Sequence, residues 1–185
     1  MTTRRQFFVN MLAPFLVTAT LLGQSFWDKK DYMQWTDQEV SAVTTNSPWA
    51  KKLNELTITW ITALPVKQAM LKDRMEAGGV LAESAKEIMS AKDTFYAISI
   101  TGLAVEKSEA LTEVSLKIEN KPVIKPASGN FQRRGSTVDV MVMFPRAEPI
   151  TADDKEVEVI LKIGTDEIGT KFLLKDMVYN GKLEM

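Results

Sequence analysis

The fold is decided by residues 137–144, Thr-Val-Asp-Val-Met-Val-Met-Phe, in which every second side chain is a large apolar one. Successive side chains of a β-strand point to opposite faces. The pattern therefore predicts a strand with one face in the core. The residues on that face are Val138, Val140, Val142 and Phe144.

Further strands are predicted around this one. Residues 157–163 alternate in the same way and are expected to pair with residues 168–174 across the turn at Gly164-Thr165-Asp166. Asn180-Gly181 between two short apolar runs predicts a two-residue hairpin of type I′. Strands joined by short turns form antiparallel sheets. The remaining predicted strands cover residues 56–64, 94–102 and 113–119, the last one after a helical turn at 108–112.

Helices are predicted near the amino terminus. Thr36 and Glu39 have the spacing of a capping box, Trp35 and Val40 that of a hydrophobic staple, so a helix is expected over residues 35–46. Ser47-Pro48 ends that helix. Two further helices are expected, one over residues 66–77 after Pro65 and one over residues 80–91, and Gly78-Gly79 separates them. The second helix has an apolar face formed by Leu81, Ala85, Ile88 and Met89.

These elements predict an α+β fold in which amino-terminal helices pack on a mostly antiparallel β-sheet or small sandwich. No linker rich in glycine or serine divides the chain, so residues 26–185 are expected to form a single domain.

The first residues, 1–25, have the layout of a signal peptide. Arg4 and Arg5 precede a largely apolar run, and Gly23 and Ser25 are small residues suited to a cleavage site. We therefore expect cleavage after Ser25, export to the periplasm or beyond, and no stable membrane span in the mature protein. The arginine pair fits the twin-arginine route and the general secretory route equally well.

The composition excludes several kinds of chemistry. The chain contains neither cysteine nor histidine, so it lacks thiolate nucleophiles, the usual zinc ligands and the commonest general base. Its net charge of −1 is not that of a nucleic-acid-binding protein. We predict no catalytic residue, no metal and no cofactor.

A string of short motifs resembles a family of uncharacterised secreted bacterial proteins. The motifs are WTxxEV at residues 35–40, SPWAK at 47–51, LPVKQA at 64–69, FPR at 144–146 and KDMVYNGKLE at 175–184. The resemblance covers nearly all of the mature chain and implies an exported single domain. It implies no activity and no site residues, because none are assigned to that family.

Two groups of residues are candidates for ligand binding. Trp27 and Tyr32 belong to an aromatic-rich segment, residues 26–49, that could stack on sugars or hold a peptide, although the core is the more common place for large aromatics. Among its tryptophans we expect Trp35 and Trp49 in the core and Trp27 at the surface. Arg133 and Arg134, predicted in a turn between strands, could hold an anion through paired charges.

Three weaker hypotheses concern other side chains. The acidic residues Asp28, Asp31, Asp37 and Glu39 are of the type that binds calcium, but they lack the spacing of a calcium-binding loop. The helix dipole also explains the last two without a metal. Met141 and Met143 suit a core better than Cu(I). Arg146 is expected to pair with an acidic side chain.

The sequence thus favours an exported cell-envelope protein that acts by binding or assembly, with an unknown envelope protein or glycan as its partner. The alternative is an envelope glycan hydrolase that uses a pair of carboxylates, since two such groups can meet in space without any mark in the sequence.

Overall fold

The computed structural model describes residues 25–79 and 82–185 and shows the predicted α+β fold. The helices are α1 (Phe26–Lys29), α2 (Asp37–Thr45), α3 (Leu64–Glu76), α4 (Ala82–Ser90) and α5 (Val105–Ser108), and 3-10 turns lie at Tyr32–Gln34 and Ala152–Asp154. The strands are β1 (Ala50–Leu53), β2 (Leu56–Trp60), β3 (Phe95–Ala104), β4 (Leu111–Lys117), β5 (Ser128–Arg134), β6 (Thr137–Pro145), β7 (Glu156–Ile163), β8 (Asp166–Leu173), β9 (Val178–Tyr179) and β10 (Lys182–Leu183). The predicted signal peptide lies outside the described residues, apart from Ser25.

The strands form two larger sheets and one small hairpin. A five-stranded sheet has the order β1-β2-β3-β6-β5, a three-stranded sheet has the order β4-β7-β8, and β9 pairs with β10. Every strand pair is antiparallel, as predicted. The alternating segment that predicts the fold is β6, which lies between β3 and β5 in the larger sheet.

The core lies between the two larger sheets. The apolar face of β6 is buried along its whole length, from Val138 to Phe144. Trp60 of β2 packs edge-to-face against Phe172 of β8, with ring centroids 5.9 Å apart, so the two sheets face each other as a sandwich.

Helix α2 covers the other face of the larger sheet at β2. Thr36 and Glu39 form the predicted capping box, and both Trp35 and Val40 are buried. Thr59 follows Ile58 and so points away from the sandwich core, where its hydroxyl donates to the carbonyl of Thr44 at 3.0 Å. This hydrogen bond joins the helical layer to the sheet.

The carboxyl-terminal hairpin has the predicted two-residue turn. Asn180 and Gly181 both have positive φ, 49° and 76°, which a type I′ turn requires. The hydroxyl of Tyr179 donates to Gln68 of α3 at 3.0 Å, and burial raises the pKa of that hydroxyl. The hairpin is thereby fastened to the helical layer.

Several local predictions are wrong. The strand predicted over 56–64 ends at Trp60, because Leu64 and Pro65 already belong to α3. The helical turn predicted at 108–112 is α5, which ends at Ser108. Strands β1 and β5 were not predicted, since both are edge strands with few apolar residues. In α4, Ala85 is buried but Ile88 is 41% exposed, and Leu81 lies outside the described residues.

None of the helices in residues 25–79 and 82–185 has the length and apolar character needed to cross a membrane.

Candidate functional site

The predicted aromatic site divides into core and surface parts. Trp35 and Trp49 are buried, as expected, whereas Trp27 and Tyr32 are half-buried and pack against the core from outside. The ring of Trp27 makes edge-to-face contacts with Phe26 and Trp49, at centroid distances of 4.9 and 5.5 Å. Trp27 is therefore the most accessible of these three tryptophans, but it is not a free surface side chain.

One side of Trp27 borders an open cleft of about 480 Å³. Asn46, Ser47, Pro48, Lys51 and Asp176 are among the other residues that line it. The cleft mixes one aromatic side chain with polar groups and contains a single carboxylate, so a pair of catalytic acids does not meet there. Tyr32 is not among its lining residues, so the two predicted aromatic ligands do not share this cleft.

Arg133 and Arg134 do not form the paired anion site that the sequence predicts. They are the last residues of β5, and the turn consists of Gly135 and Ser136. Because neighbouring residues of a strand point to opposite faces, the two guanidinium groups lie on opposite sides of the sheet. The Nε of Arg134 is engaged by Asp139, and its Nη2 donates to Gln132 at 3.2 Å.

Among the described strands, β5 is the most accessible. All seven of its residues are exposed. It pairs with β6 on one side, and no described strand pairs with it on the other. Alternate backbone N–H and C=O groups of such an edge strand have no partner in the sheet. β5 is therefore open to pairing with another extended chain.

Proteins usually protect an edge strand by charge, by proline or by a bulge. In β5 the stretch from Ser128 to Gln132 has neither charge nor proline, and its pairing with β6 runs without a register shift. Only Arg133 and Arg134 are charged, and they stand at one end. Most of this edge is thus unprotected.

Beside β5 lies a groove between the two sheets. It has a volume of about 210 Å³, and its walls come from the start of β4 and from β5 and β6. Val140 and Val142 form part of its floor, and Phe131 lies at its rim with 56% of its surface exposed. This open edge and the groove beside it are called the β5 site below.

The charged groups at the β5 site are unequally compensated. Glu113 lines the groove and accepts a hydrogen bond from Lys162 at 3.1 Å, and this bond raises the pKa of the lysine. Arg133 makes no ion pair with any described carboxylate, and its Nε donates only to the carbonyl of Gly135, at 3.2 Å. One cationic group thus remains available on the groove side of β5.

Three acidic residues line the groove between α2 and α3. Asp37, Asp73 and Glu76 line this groove of about 420 Å³. Glu76 forms an ion pair with Lys72. A glycan hydrolase needs one carboxyl group with a raised pKa as its general acid.

Among the described side chains, two carboxyl groups elsewhere have displaced pKa values, and both are displaced downward. A hydrogen bond from Lys30, together with the backbone N–H of Thr36, lowers the pKa of Glu39. Burial acts to raise the pKa of Asp154, but hydrogen bonds from Lys121 and Thr151 outweigh it and lower that pKa. Both groups have structural roles as helix caps.

Of the other candidate groups, Asp31 and Arg146 are engaged within the fold. Met141 and Met143 do not lie in the core, as the sequence favoured, but are 38% and 37% exposed, because they alternate with the buried valines of β6. Asp31 caps the first 3-10 turn through a bond of 2.9 Å from the backbone N–H of Met33. The expectation that Arg146 pairs with an acidic side chain is wrong. Its Cζ lies 4.1 Å from the ring centroid of Tyr96, and its guanidinium donates to the carbonyls of Phe95 and Met185. No group of three or more acidic side chains suited to a metal occurs in the described part of the chain.

Sequence reasoning missed the open edge of β5, although it singled out two residues at its end. The segment Ser-Gly-Asn-Phe-Gln-Arg-Arg has a single large apolar residue, Phe131, so no periodic pattern marks it as a strand. The only available signal was its position directly before the turn that leads into β6.

Comparison with protein-family models, with curated proteins and with solved structures gives no match for this chain. The β5 site is therefore the basis on which we infer a function.

Proposed function

We propose that this is an exported cell-envelope protein that binds another envelope protein by accepting one of its segments as an added strand at β5. The observation that supports this is an edge strand that is exposed at all seven residues and carries no protecting charge over its first five. Strand addition uses the backbone hydrogen bonds of such an edge for affinity and the neighbouring pockets for specificity.

The shape of the β5 site favours an extended chain over other ligands. A glycan would need several polar side chains that converge on it, whereas most residues that line the groove are apolar and its polar lining residues are Thr112, Glu113 and Ser128. A helix cannot satisfy the free backbone groups of a strand, because its own backbone groups are bonded internally. An extended segment satisfies both the strand and the groove.

Two features of the sequence support export: the layout of the amino terminus and the resemblance to secreted bacterial proteins. We expect removal of the leader after Ser25, because Arg4 and Arg5, the apolar run and the small residues Gly23 and Ser25 form a signal peptide. Intact-mass measurement of the protein recovered outside the cytoplasm should show a chain that begins at Phe26. A recovered chain that still begins at Met1 would contradict this prediction.

Binding at β5 is tested by site-specific photocrosslinking. Because the chain has no cysteine, Gln132→Cys places one benzophenone label on β5, and Lys52→Cys places the same label on β1, the edge strand at the other end of the sheet. After illumination with envelope extract, we expect the label on residue 132 to give a discrete crosslinked protein and the label on residue 52 to give none.

Competition decides whether that product reflects strand addition. Excess unlabelled parent protein should suppress it, whereas an excess of a Phe131→Glu variant, folded by its melting curve, should not. Equal crosslinking from residues 52 and 132, or equal suppression by the two competitors, would count against the proposed function.

The alternative proposal, a glycan hydrolase, has its best location in the groove between α2 and α3. Asp37, Asp73 and Glu76 line that groove, and Glu76 forms an ion pair with Lys72. We prefer the binding function because the β5 site has an unsatisfied backbone edge and the acidic groove has no comparable feature.

A further inference from the structure

We propose that the strand received by β5 is acidic, with an apolar side chain that enters the groove and a carboxylate two residues away that pairs with Arg133. This inference rests on the proposed function and adds the chemistry of the partner.

The first step concerns the direction of the side chains on β5. Residues that face each other in an antiparallel ladder point to the same side of the sheet. Phe131 pairs with Val140, and Arg133 pairs with Val138. Both valines are buried in the sandwich core. Phe131 and Arg133 therefore stand on the core side of β5, two residues apart.

The second step concerns the exposed surface of Phe131. Although Phe131 is on the core side, 56% of its surface is exposed. The groove separates it from β4, and no described strand lies outside β5 to cover it. An added strand would lie about 4.8 Å beyond β5. Its residue opposite Phe131 would point toward the groove and cover the exposed part of the ring. Burial of apolar surface favours an apolar side chain at that position.

The third step concerns charge. The partner residue opposite Arg133 would share a face with the apolar residue, two positions away along the strand. Asp139 and Gln132 engage Arg134 on the outer face, and Lys162 engages Glu113 in the groove. The guanidinium of Arg133 is the charged group on this face that lacks a carboxylate partner. A carboxylate on the added strand can supply one through a charge-assisted hydrogen bond.

The same charges disfavour a second copy of this chain as the occupant. Another β5 would bring the segment Ser-Gly-Asn-Phe-Gln-Arg-Arg, which contains two arginines and no acid. Pairing two copies would therefore concentrate like charge at the edge without compensating Arg133. An acidic segment from a different protein is the better complement.

Binding is tested with fluorescently labelled peptides of palindromic sequence, so that the order of side chains is the same for parallel and antiparallel pairing with β5. The acidic peptide is Thr-Asp-Thr-Val-Thr-Asp-Thr. One comparison peptide has lysine for both aspartates, and another has serine for the valine. Anisotropy titrations with the mature protein at low salt should give an affinity about tenfold higher for the acidic peptide than for the lysine peptide. The serine peptide should bind more weakly than the acidic peptide. The difference in affinity between the acidic and lysine peptides should decrease at high salt.

Matched variants locate the effect. Arg133→Gln should weaken binding of the acidic peptide by about threefold to tenfold, in the range of an exposed ion pair or a charge-assisted hydrogen bond. Arg134→Gln removes the same charge from the opposite face and should change it by less than about twofold. Melting curves check that both variants are folded.

Equal affinity for the acidic and lysine peptides, or equal loss in the two arginine variants, would overturn the inferred partner chemistry. If the crosslinked protein from residue 132 is still observed, strand addition itself stands. Absence of binding by every peptide together with absence of that product would overturn both proposals. A dimer in sedimentation experiments that Phe131→Glu dissociates would identify a second copy as the occupant and also overturn the inference.

Discussion

Replacing Trp49 with alanine is expected to lower the free energy of unfolding by about 3–5 kcal/mol. Its side chain is completely buried and makes edge-to-face contacts with Trp27 and Tyr179, at centroid distances of 5.5 and 6.5 Å. Its Nε1 also donates to the carbonyl of Glu184 at 2.9 Å. The substitution removes a large apolar volume and the only described bond between this indole and the carboxyl-terminal segment.

Urea unfolding of the mature protein measures this loss. Trp27→Ala is the matched control, because the same atoms are deleted from a half-buried position, and its cost should be clearly smaller. A loss of less than about 1 kcal/mol for Trp49→Ala, or a larger loss for Trp27→Ala, would show that the aromatic segment is not organised around Trp49.

Gly102→Ala is expected to destabilise the fold by about 2–5 kcal/mol, the sum of two costs. Gly102 has a φ of +85°, which costs an L-residue roughly 1–2 kcal/mol. A Cβ at this position would also lie 2.5 Å from the backbone carbonyl oxygen of Glu55, and overpacking of this kind costs roughly 1–3 kcal/mol. The clash involves backbone, so no side-chain rotation relieves it.

Gly181→Ala separates the two costs. Gly181 has a similar φ of +76°, but a Cβ there would meet nothing within 4 Å. This variant should lose only the backbone part, about 1–2 kcal/mol. Equal destabilisation of the two variants, measured by urea unfolding, would contradict the close contact between Gly102 and the turn before β2.

The position of Gly102 explains why that contact exists. The register between β3 and β6 shifts between Ile100 and Leu103, and a bulge of this kind needs a residue that tolerates unusual backbone angles. Glycine at this point lets β3 bend while the turn at Glu55 packs against it. Leu103 then returns to the core on the far side of the bulge, paired with Val138.

Some parts of the fold were predictable because their signals are local. The capping box depends on Thr36 and Glu39, which are three residues apart, and the hairpin turn depends on Asn180 and Gly181 alone. The buried face of β6 was equally clear, because a strand with one face in the core must alternate. Each of these features is determined by residues that are neighbours in the sequence.

The edge strands were not predictable in this way. β1 contains Lys51 and Lys52, and β5 contains one large apolar residue. Each becomes a strand because a neighbouring strand offers it a ladder of backbone hydrogen bonds, which any residue except proline can complete. Local composition therefore contains little information about them.

The candidate site shows the same division. The sequence identified Arg133 and Arg134 as a possible pair for one anion, but strand geometry places them on opposite faces, and Asp139 engages only the second. It identified Trp27 and Tyr32, and packing against the core leaves both half-buried. The missing information in both cases was which face of an element meets another element.

The sequence by itself determined the fold class, the capping box of α2, the turn at Asn180-Gly181 and the buried face of β6. Those properties follow from residue types and from spacing along the chain. Only the tertiary structure decided that β5 is an open edge, that Phe131 lies over a groove, and that Arg133 lacks an ion pair with any described carboxylate. These properties depend on segments far apart in the chain, such as β4 and β5, whose approach is governed by packing in the core and leaves no local pattern in the sequence.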